Sequence, residues 1–219
     1  MKLSFVLADP DTGVTAEWLQ GCAAAVAVQL ARDVCPAWGL RAPEVDTFIA
    51  GHIGATAADA LPIVVMRDSD SAGLLGYHNV MRDGRPFARV FTAGQGLDGI
   101  SCTISHEAIE ALCDTTCDVW IGDRVLEPAD AVEDQTYPIA VGGVTYAMSN
   151  FVLPAWYQAD SRGPWDYLKK LSGPLTRTDG GYVILRGADG KPTTDPPMRN
   201  RPEKQHAASR TARRLARRA

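Results

Sequence analysis

The sequence predicts a single α/β (α+β) domain over residues 1–186, followed by a basic tail over residues 187–219. Three observations support this: one strand, one helix and several strands in that order, a second helix with a histidine and two carboxylates, and a change of composition near Gly187. With 219 residues, 46% of them apolar, the chain is long enough to bury one hydrophobic core.

The first strand and the first helix are predicted from an apolar run and from helical periodicity. Leu3 to Leu7 form the strand, and the helix follows a turn that begins at Asp9-Pro10. Thr15 can cap the helix, and apolar residues recur along it at every fourth position as far as Val34. Cys35-Pro36 is predicted to end the helix, because the residue before a proline disfavours helical geometry.

Further strands are predicted where short apolar runs are bounded by Gly, Pro or Asp. They lie at Thr47–Ala50, Leu61–Met66, Leu74–Tyr77, Pro86–Phe91 and, near the end of the domain, Gly181–Leu185. Gly142-Gly143 separates two more runs, and such a pair is typical of a two-residue hairpin turn.

A second helix is predicted from about Gly96 to Cys113, and it contains the most informative residues of the chain. His106 and Glu110 are one helical turn apart, so they point in the same direction. With Glu107 they resemble the H-E-x-x-H helix of metallopeptidases, except that Glu110 replaces the second histidine. The periodicity fits a buried active-site helix and a half-exposed surface helix equally well.

A divalent ion bound by His106 and Glu110 needs at least one more protein ligand. An acidic segment downstream offers Glu127, Asp130 and Glu133 at three-residue intervals, so these side chains would face broadly one way. We expect Glu127 or Asp130 to be the third ligand. Glu133 would be a further ligand or would orient His106. Taken alone, such an acidic run is more often a solvated loop.

Glu107 is the predicted general base, which would take a proton from a water activated by the ion. A divalent metal is the expected cofactor, with zinc as the first candidate. A carboxylate at position 110 shifts the preference towards harder ions than an imidazole would.

The five cysteines are predicted to be reduced, because their number is odd and no export signal is visible. Cys113, Cys117 and His106 could hold a structural zinc, but the spacing of a zinc ribbon is missing. No apolar run approaches the roughly 20 residues that span a bilayer. We therefore expect a soluble protein that does not bind membranes and is not secreted through a signal peptide.

Charge is distributed unevenly along the sequence. Residues 187–219 contain nine Lys or Arg and three acids, which gives +6, while residues 1–186 contain 13 basic and 23 acidic residues, which gives −10. The tail is predicted to be disordered or bound to a partner, because it lacks apolar residues for a core. It could lie on an acidic neighbour, keep the protein soluble or contact nucleic acid nonspecifically.

Several segments together resemble a family of small zincin-like proteins, uncharacterised metallopeptidases of tailed phages, prophages and bacteria. The resemblance covers about Gly73 to Leu185, and its segments are GLLGYH at 73–78, PFARVF at 86–91, SHEAIEALCD at 105–114, EPADAVE at 127–133 and SNFVLPAWY at 149–157.

The resemblance implies a zincin-like twisted mixed sheet with an active-site helix. Pro86–Phe91 would be an edge strand above that helix, where an extended peptide substrate could add as another strand. His106, Glu107 and Glu110 fall on the family's motif helix, and the family accepts Glu at the last position. The expected location is the host cytoplasm or the phage virion.

Three classes of function follow from these residues and from the resemblance. The first is a metal-dependent hydrolase, most plausibly a peptidase, with a peptide or protein substrate. The alternative is a catalytically inactive zincin-fold virion protein of the tail or connector, which would contact other virion proteins. A third reading is a calcium site that only stabilises the fold. His78 would be a structural histidine, or would approach the metal or the substrate carbonyl.

Overall fold

The structure is a computed structural model that describes residues 1–9, 11–49, 59–70 and 74–196. In these ranges the chain forms a five-stranded sheet, a four-stranded sheet, a two-stranded hairpin and helices packed between them. The α/β class predicted from the sequence is confirmed. No helix in the described ranges has both the length and the apolar character needed to cross a lipid bilayer.

The five-stranded sheet is mixed. Its strands are β1 (Lys2–Leu7), β2 (Glu44–Ile49), β3 (Ala60–Met66), β4 (Gly76–Val80) and β5 (Pro86–Phe91), in the spatial order β2-β1-β3-β5-β4. The first three and β5 run parallel, and β4 is antiparallel to β5. All five strands lie close to their predicted positions.

Among the described strands, β2 and β4 are at the two edges of this sheet, so the prediction of β5 as an edge strand was wrong. A short hairpin joins β4 and β5, with Met81 N–H donating to Arg85 O at 2.7 Å. This turn pairs β4 with one side of β5, and the other side of β5 pairs with β3. Because β5 has partners on both sides, β4 is the outermost strand at this end of the sheet as far as the described residues show.

The first helix, α1 (Ala16–Gln29), starts as predicted, because Thr15 Oγ1 accepts a hydrogen bond from Trp18 N at 3.1 Å. The predicted end at Cys35-Pro36 was wrong. The helix continues through a π-helical turn over Leu30–Val34 into α2 (Cys35–Trp38). Pro36 lies in the first turn of α2, where its missing N–H costs little. Gly39, with φ of +64°, ends the helix instead.

The second predicted helix is α3 (Leu97–Cys113), and its bounds agree with the prediction. Its apolar stripe of Ile100, Ile104, Ala108 and Ala111 is at most 3% exposed and packs in the main core with residues of β1, β3, β5 and α1. The polar face is buried as well, since Glu107 and Glu110 are at most 1% exposed. Of the two alternatives predicted for this helix, the structure shows the buried one.

The second half of the chain covers α3 and adds a small sheet. The predicted hairpin is confirmed as β8 (Thr136–Val141) and β9 (Val144–Ser149), joined by two glycines with positive φ. The four-stranded sheet contains β6 (Trp120–Ile121), β7 (Arg124–Val125), β10 (Val183–Arg186) and β11 (Pro192–Asp195), in the order β11-β10-β7-β6.

The boundary predicted at residue 186 is too early, because β11 pairs antiparallel with β10 and the described structure continues to Pro196. The Arg-rich part of the predicted tail, residues 197–219, lies outside the described residues, as does Ala50 at the end of the strand predicted there.

Candidate metal centre

Four parts of the chain meet at one buried polar cluster. The middle of α3 supplies His106, Glu107 and Glu110, and β4 supplies His78. Glu127 comes from the segment after β7. Asp130 begins a short 3-10 helix, Asp130–Val132. All six side chains are buried, with exposures of 6% or less. The cluster thus joins residues that are up to 52 positions apart in the sequence, from 78 to 130.

Three of these residues form what we call the His106 group: His106, Glu110 and Asp130. Nε2 of His106 lies 3.2 Å from Glu110 Oε1 and 3.2 Å from Asp130 Oδ1. Ligand atoms about 2.1 Å from one tetrahedral ion lie about 3.4 Å from each other. The spacing in the His106 group therefore fits the ligands of a single divalent ion.

A second set, the His78 group, consists of His78, Glu110 and Glu127. Nδ1 of His78 lies 3.5 Å from Glu110 Oε2, and its Nε2 lies 3.7 Å from Glu127 Oε2. One potential ligand atom from each residue lies within 4.8 Å of the other two. His78 Nδ1 is also 3.5 Å from Glu107 Oε2. His78 is thus at the centre of the carboxylates and within β4, rather than before the edge strand as expected.

At both histidines, acidic neighbours outweigh the effect of burial on the pKa. Burial favours neutral imidazoles, but Glu110 and a hydrogen bond with Asp130 outweigh this and raise the pKa of His106 well above its usual value. Burial acts the same way on His78, whose pKa is nevertheless raised by Cys117 and Glu127 and by a hydrogen bond with Glu107. Both sites therefore favour positive charge beside the carboxylates.

A cleft of about 140 Å³ opens beside the His106 group. It is lined by Leu75, Gly76, Gln95, Gly99, Cys102, Thr103, His106, Glu107 and Glu133. Glu133 is half-buried at its wall, whereas the pairing with His106 is made by Asp130. His78 and Glu127 do not line this cleft. The His106 group therefore borders an open cleft through His106, whereas His78 and Glu127 are set back from it.

Gly76 allows β4 to approach the helix at Glu107. A Cβ atom at this position would lie 2.7 Å from Thr103 Cγ2 and 3.0 Å from Glu107 Oε1. Both distances are too short for ordinary packing, so any larger residue would push the strand and the helix apart. The glycine was not singled out in the sequence, because its two contacts lie on α3, far along the chain.

The turn that carries Asp130 is held by the segment before β10. Tyr182 N–H donates to Asp130 O at 3.0 Å, and Thr178 N–H donates to Ala131 O at 2.9 Å. A Cβ on Gly181 would overlap the carbonyl group of Ala131. The backbone of residues 178–182 therefore fixes the position of Asp130, and only a glycine fits at position 181.

Helix α3 is held from the other side by a buried hydrogen-bond network. Ser105 Oγ donates to Gln29 Oε1 at 2.6 Å and accepts from Ser149 N at 3.0 Å. Gln29 Nε2 donates to Ser149 O at 2.9 Å. Ser105 directly precedes His106, so these bonds join α1, α3 and β9 next to the His106 group. Sequence patterns do not reveal this network.

Tyr157 is a further residue of the site, and its sequence pattern does not reveal this. Its hydroxyl is buried and has no hydrogen-bond partner among the described residues. Burial raises its pKa, and the negative charges of Glu127, Asp130 and Glu110 raise it further. Tyr157 therefore places a protonated hydroxyl group beside the carboxylates.

The cysteines do not form a metal group among the described residues, because both candidate groups consist of histidine and carboxylates. All five cysteines are free, as predicted. Cys117 is buried and forms a hydrogen bond with His78, while Cys113 is on α3 and half-buried. The structural zinc considered for this pair thus has no support in the described part of the chain.

Comparison of the chain with protein-family models, with curated proteins and with solved structures gave no match. The geometry of the site is therefore the basis for its proposed function.

Proposed function

We propose that the chain is a metal-dependent hydrolase, and specifically a peptidase, whose divalent ion is held by His106, Glu110 and Asp130. The observation that carries this proposal is the position of His106 Nε2, 3.2 Å from an oxygen of each carboxylate and at the wall of a cleft. A catalytic ion needs few protein ligands and an open side, and this arrangement supports both.

The donor set fits a transition metal better than calcium. Each candidate group includes an imidazole nitrogen, whereas calcium takes oxygen ligands almost exclusively. One imidazole and two carboxylates suit zinc, and they also suit harder ions such as manganese. A divalent ion bound here would polarise a carbonyl group and make a bound water more acidic.

Glu107 is the proposed general base. It follows His106 on α3, and it lines the same cleft as His106. A carboxylate beside an activated water can accept its proton and pass it to a leaving amine. Gly76 supports this role. Because it has no side chain, Glu107 Oε1 can lie close to the backbone of β4.

A peptide is the favoured substrate because of β4. This strand is at the edge of the five-stranded sheet, and Leu75 and Gly76 at its start line the cleft. An extended peptide can be bound alongside the outermost strand of a sheet. A peptide bound along β4 would run past Glu107 and the His106 group. The edge predicted from the resemblance is thus provided by β4 instead of β5.

The test combines metal analysis with hydrolysis of a peptide library. Glu107→Gln should keep the bound metal and reduce hydrolysis about 10²- to 10⁴-fold, the usual contribution of a general base. His106→Ala should lose metal and activity together. Glu17→Gln, at an exposed position of α1, is the matched control and should change neither.

The inactive virion protein is the competing proposal, and the same experiment distinguishes it. If wild-type protein binds metal but cleaves no peptide, and Glu107→Gln changes no measured property, the hydrolase proposal is rejected. If purified wild-type protein binds no divalent metal, both the metal centre and the hydrolase are rejected.

A further inference from the structure

The two oxygens of Glu110 face different histidines. Oε1 lies 3.2 Å from His106 Nε2, and Oε2 lies 3.5 Å from His78 Nδ1. A carboxylate that directs one oxygen to each of two sets of ligands has the geometry of a bridging ligand. The His106 group and the His78 group share only this residue.

The charges of the cluster exceed what one divalent ion can neutralise. Glu107, Glu110, Glu127 and Asp130 contribute four negative charges when ionised, and all four are at most 4% exposed. Buried charges are costly unless they are compensated nearby. Two divalent ions match the charge of four carboxylates and leave both imidazoles neutral and able to bind metal.

Tyr157 gives an independent indication of a ligand next to the His78 group. Its hydroxyl is buried but lacks a hydrogen-bond partner among the described residues. A buried hydroxyl group is costly to leave unbonded. A filled metal site beside it would supply a partner: a carboxylate oxygen reoriented by the ion would accept from the hydroxyl group, or a water bound to the ion would donate to it.

We propose that the cluster binds two divalent ions, one in the His106 group and a second one held by His78, Glu110 and Glu127, with Glu110 as the bridge. This inference rests on the proposed function, because it adds a second ion to the same centre. Ions in two-metal hydrolytic sites are about 3.5–4 Å apart, a distance that the two oxygens of one carboxylate can span.

The two ions have different roles. The His106 group borders the cleft, so its ion can contact substrate. The ion of the His78 group is enclosed by β4, α3 and the segment after β7, and His78 and Glu127 are 1% and 4% exposed. The second ion therefore holds Glu110 in place and exchanges slowly with solvent.

The test is the zinc stoichiometry of the full chain. Chelator-treated protein is titrated with Zn²⁺, desalted and analysed by mass spectrometry of the metal. We expect about two ions per wild-type chain, and a loss of about one with Glu127→Gln or His78→Gln. Glu17→Gln, at an exposed position of α1 away from the cluster, is the matched control and should leave the number unchanged.

Each result decides between the proposals. A single ion in the wild-type chain overturns the second site and leaves the hydrolase intact, whereas no ion overturns both. Glu127→Gln that still binds two ions also overturns the second site. Circular dichroism verifies that each variant is folded. If His78→Gln does not fold, Glu127→Gln alone tests the second site. In a zinc-loaded crystal, two anomalous peaks about 3.5–4 Å apart support the bridge, and one peak contradicts it.

Discussion

At the scale of single residues, the sequence predicted several side chains that meet in the buried polar cluster and missed the glycines that make room for them. His106, Glu107 and Glu110 were found because helical spacing alone places them together. Asp130 and Glu127 were predicted as alternatives for the third ligand. In the structure Asp130 lies next to His106, and Glu127 lies next to His78. The importance of Gly76 depends on Thr103 and Glu107, which spacing along the chain cannot connect to it.

Gly76→Ala should therefore damage the site without removing any ligand. The new Cβ would be 2.7 Å from Thr103 Cγ2 and 3.0 Å from the Arg89 carbonyl oxygen, so strand and helix must separate. We expect a loss of about 1–3 kcal/mol in the free energy of unfolding, as for other overpacked positions, together with lower hydrolytic activity. Urea denaturation and the peptide assay measure the two effects.

Gly99→Ala is the matched control, because Gly99 lines the same cleft on α3. Its Cβ would meet mainly the flexible end of Gln95, at 3.1 Å. An alanine in a helix is favoured over glycine by about 1 kcal/mol, so this variant should be at least as stable as the wild type. Equal stability loss in both variants would refute the argument for Gly76.

At the scale of elements, the positions of helices and strands were predicted well, and errors arose where partners are distant in sequence. Apolar runs predicted β5, but nothing in them indicated that β3 would occupy its second side. The π-helical turn over Leu30–Val34 was missed for a similar reason. Asp33 within it accepts hydrogen bonds from Tyr137 and Tyr167, both at 2.8 Å and both far along the chain.

This turn gives a prediction about pH. Burial raises the pKa of Asp33, but hydrogen bonds from Arg32, Tyr167 and Tyr137 lower it by more, so the net pKa lies below its usual value. The folded state thus binds a proton less readily than the unfolded state, whose pKa is about 3.9. The stabilisation by Asp33 is complete above that pH and is lost as the pH falls through the lower, folded-state pKa.

Asp33→Asn should cost about 1–3 kcal/mol near neutral pH, as expected for hydrogen bonds to a buried charge. The difference from the wild type should shrink below about pH 4. Urea denaturation of the metal-free proteins between neutral and acidic pH checks this. Asp83→Asn, at an exposed pair with Arg85, is the control and should have little effect. A difference that stays constant with pH would contradict the assignment.

At the scale of the whole molecule, metal binding and folding should be coupled, because the ligands come from β4, α3 and two segments after it. Such ligands are not assembled in the unfolded chain, so an ion stabilises mainly the folded state. At a free metal concentration of about 100 times Kd, the gain is about 2.7 kcal/mol per ion. For a domain of this size, that raises Tm by about 5–10 °C.

Differential scanning calorimetry with and without chelator measures this shift. The double variant His78→Ala/His106→Ala removes an imidazole from each group and should melt at the same temperature in both conditions. A large shift in that variant would mean that the metal stabilises the protein elsewhere.

The backbone hydrogen bonds from residues 178–182 that hold Asp130 affect when the site can form during synthesis of the protein. Within the described residues, both candidate groups consist of residues at or before 130, but the backbone groups that hold Asp130 belong to residues 178–182. A ribosome would thus release all the ligands well before it releases their support. We expect the centre to acquire its ions only after most of the chain has left the ribosome, so that cofactor loading is a late step of biosynthesis.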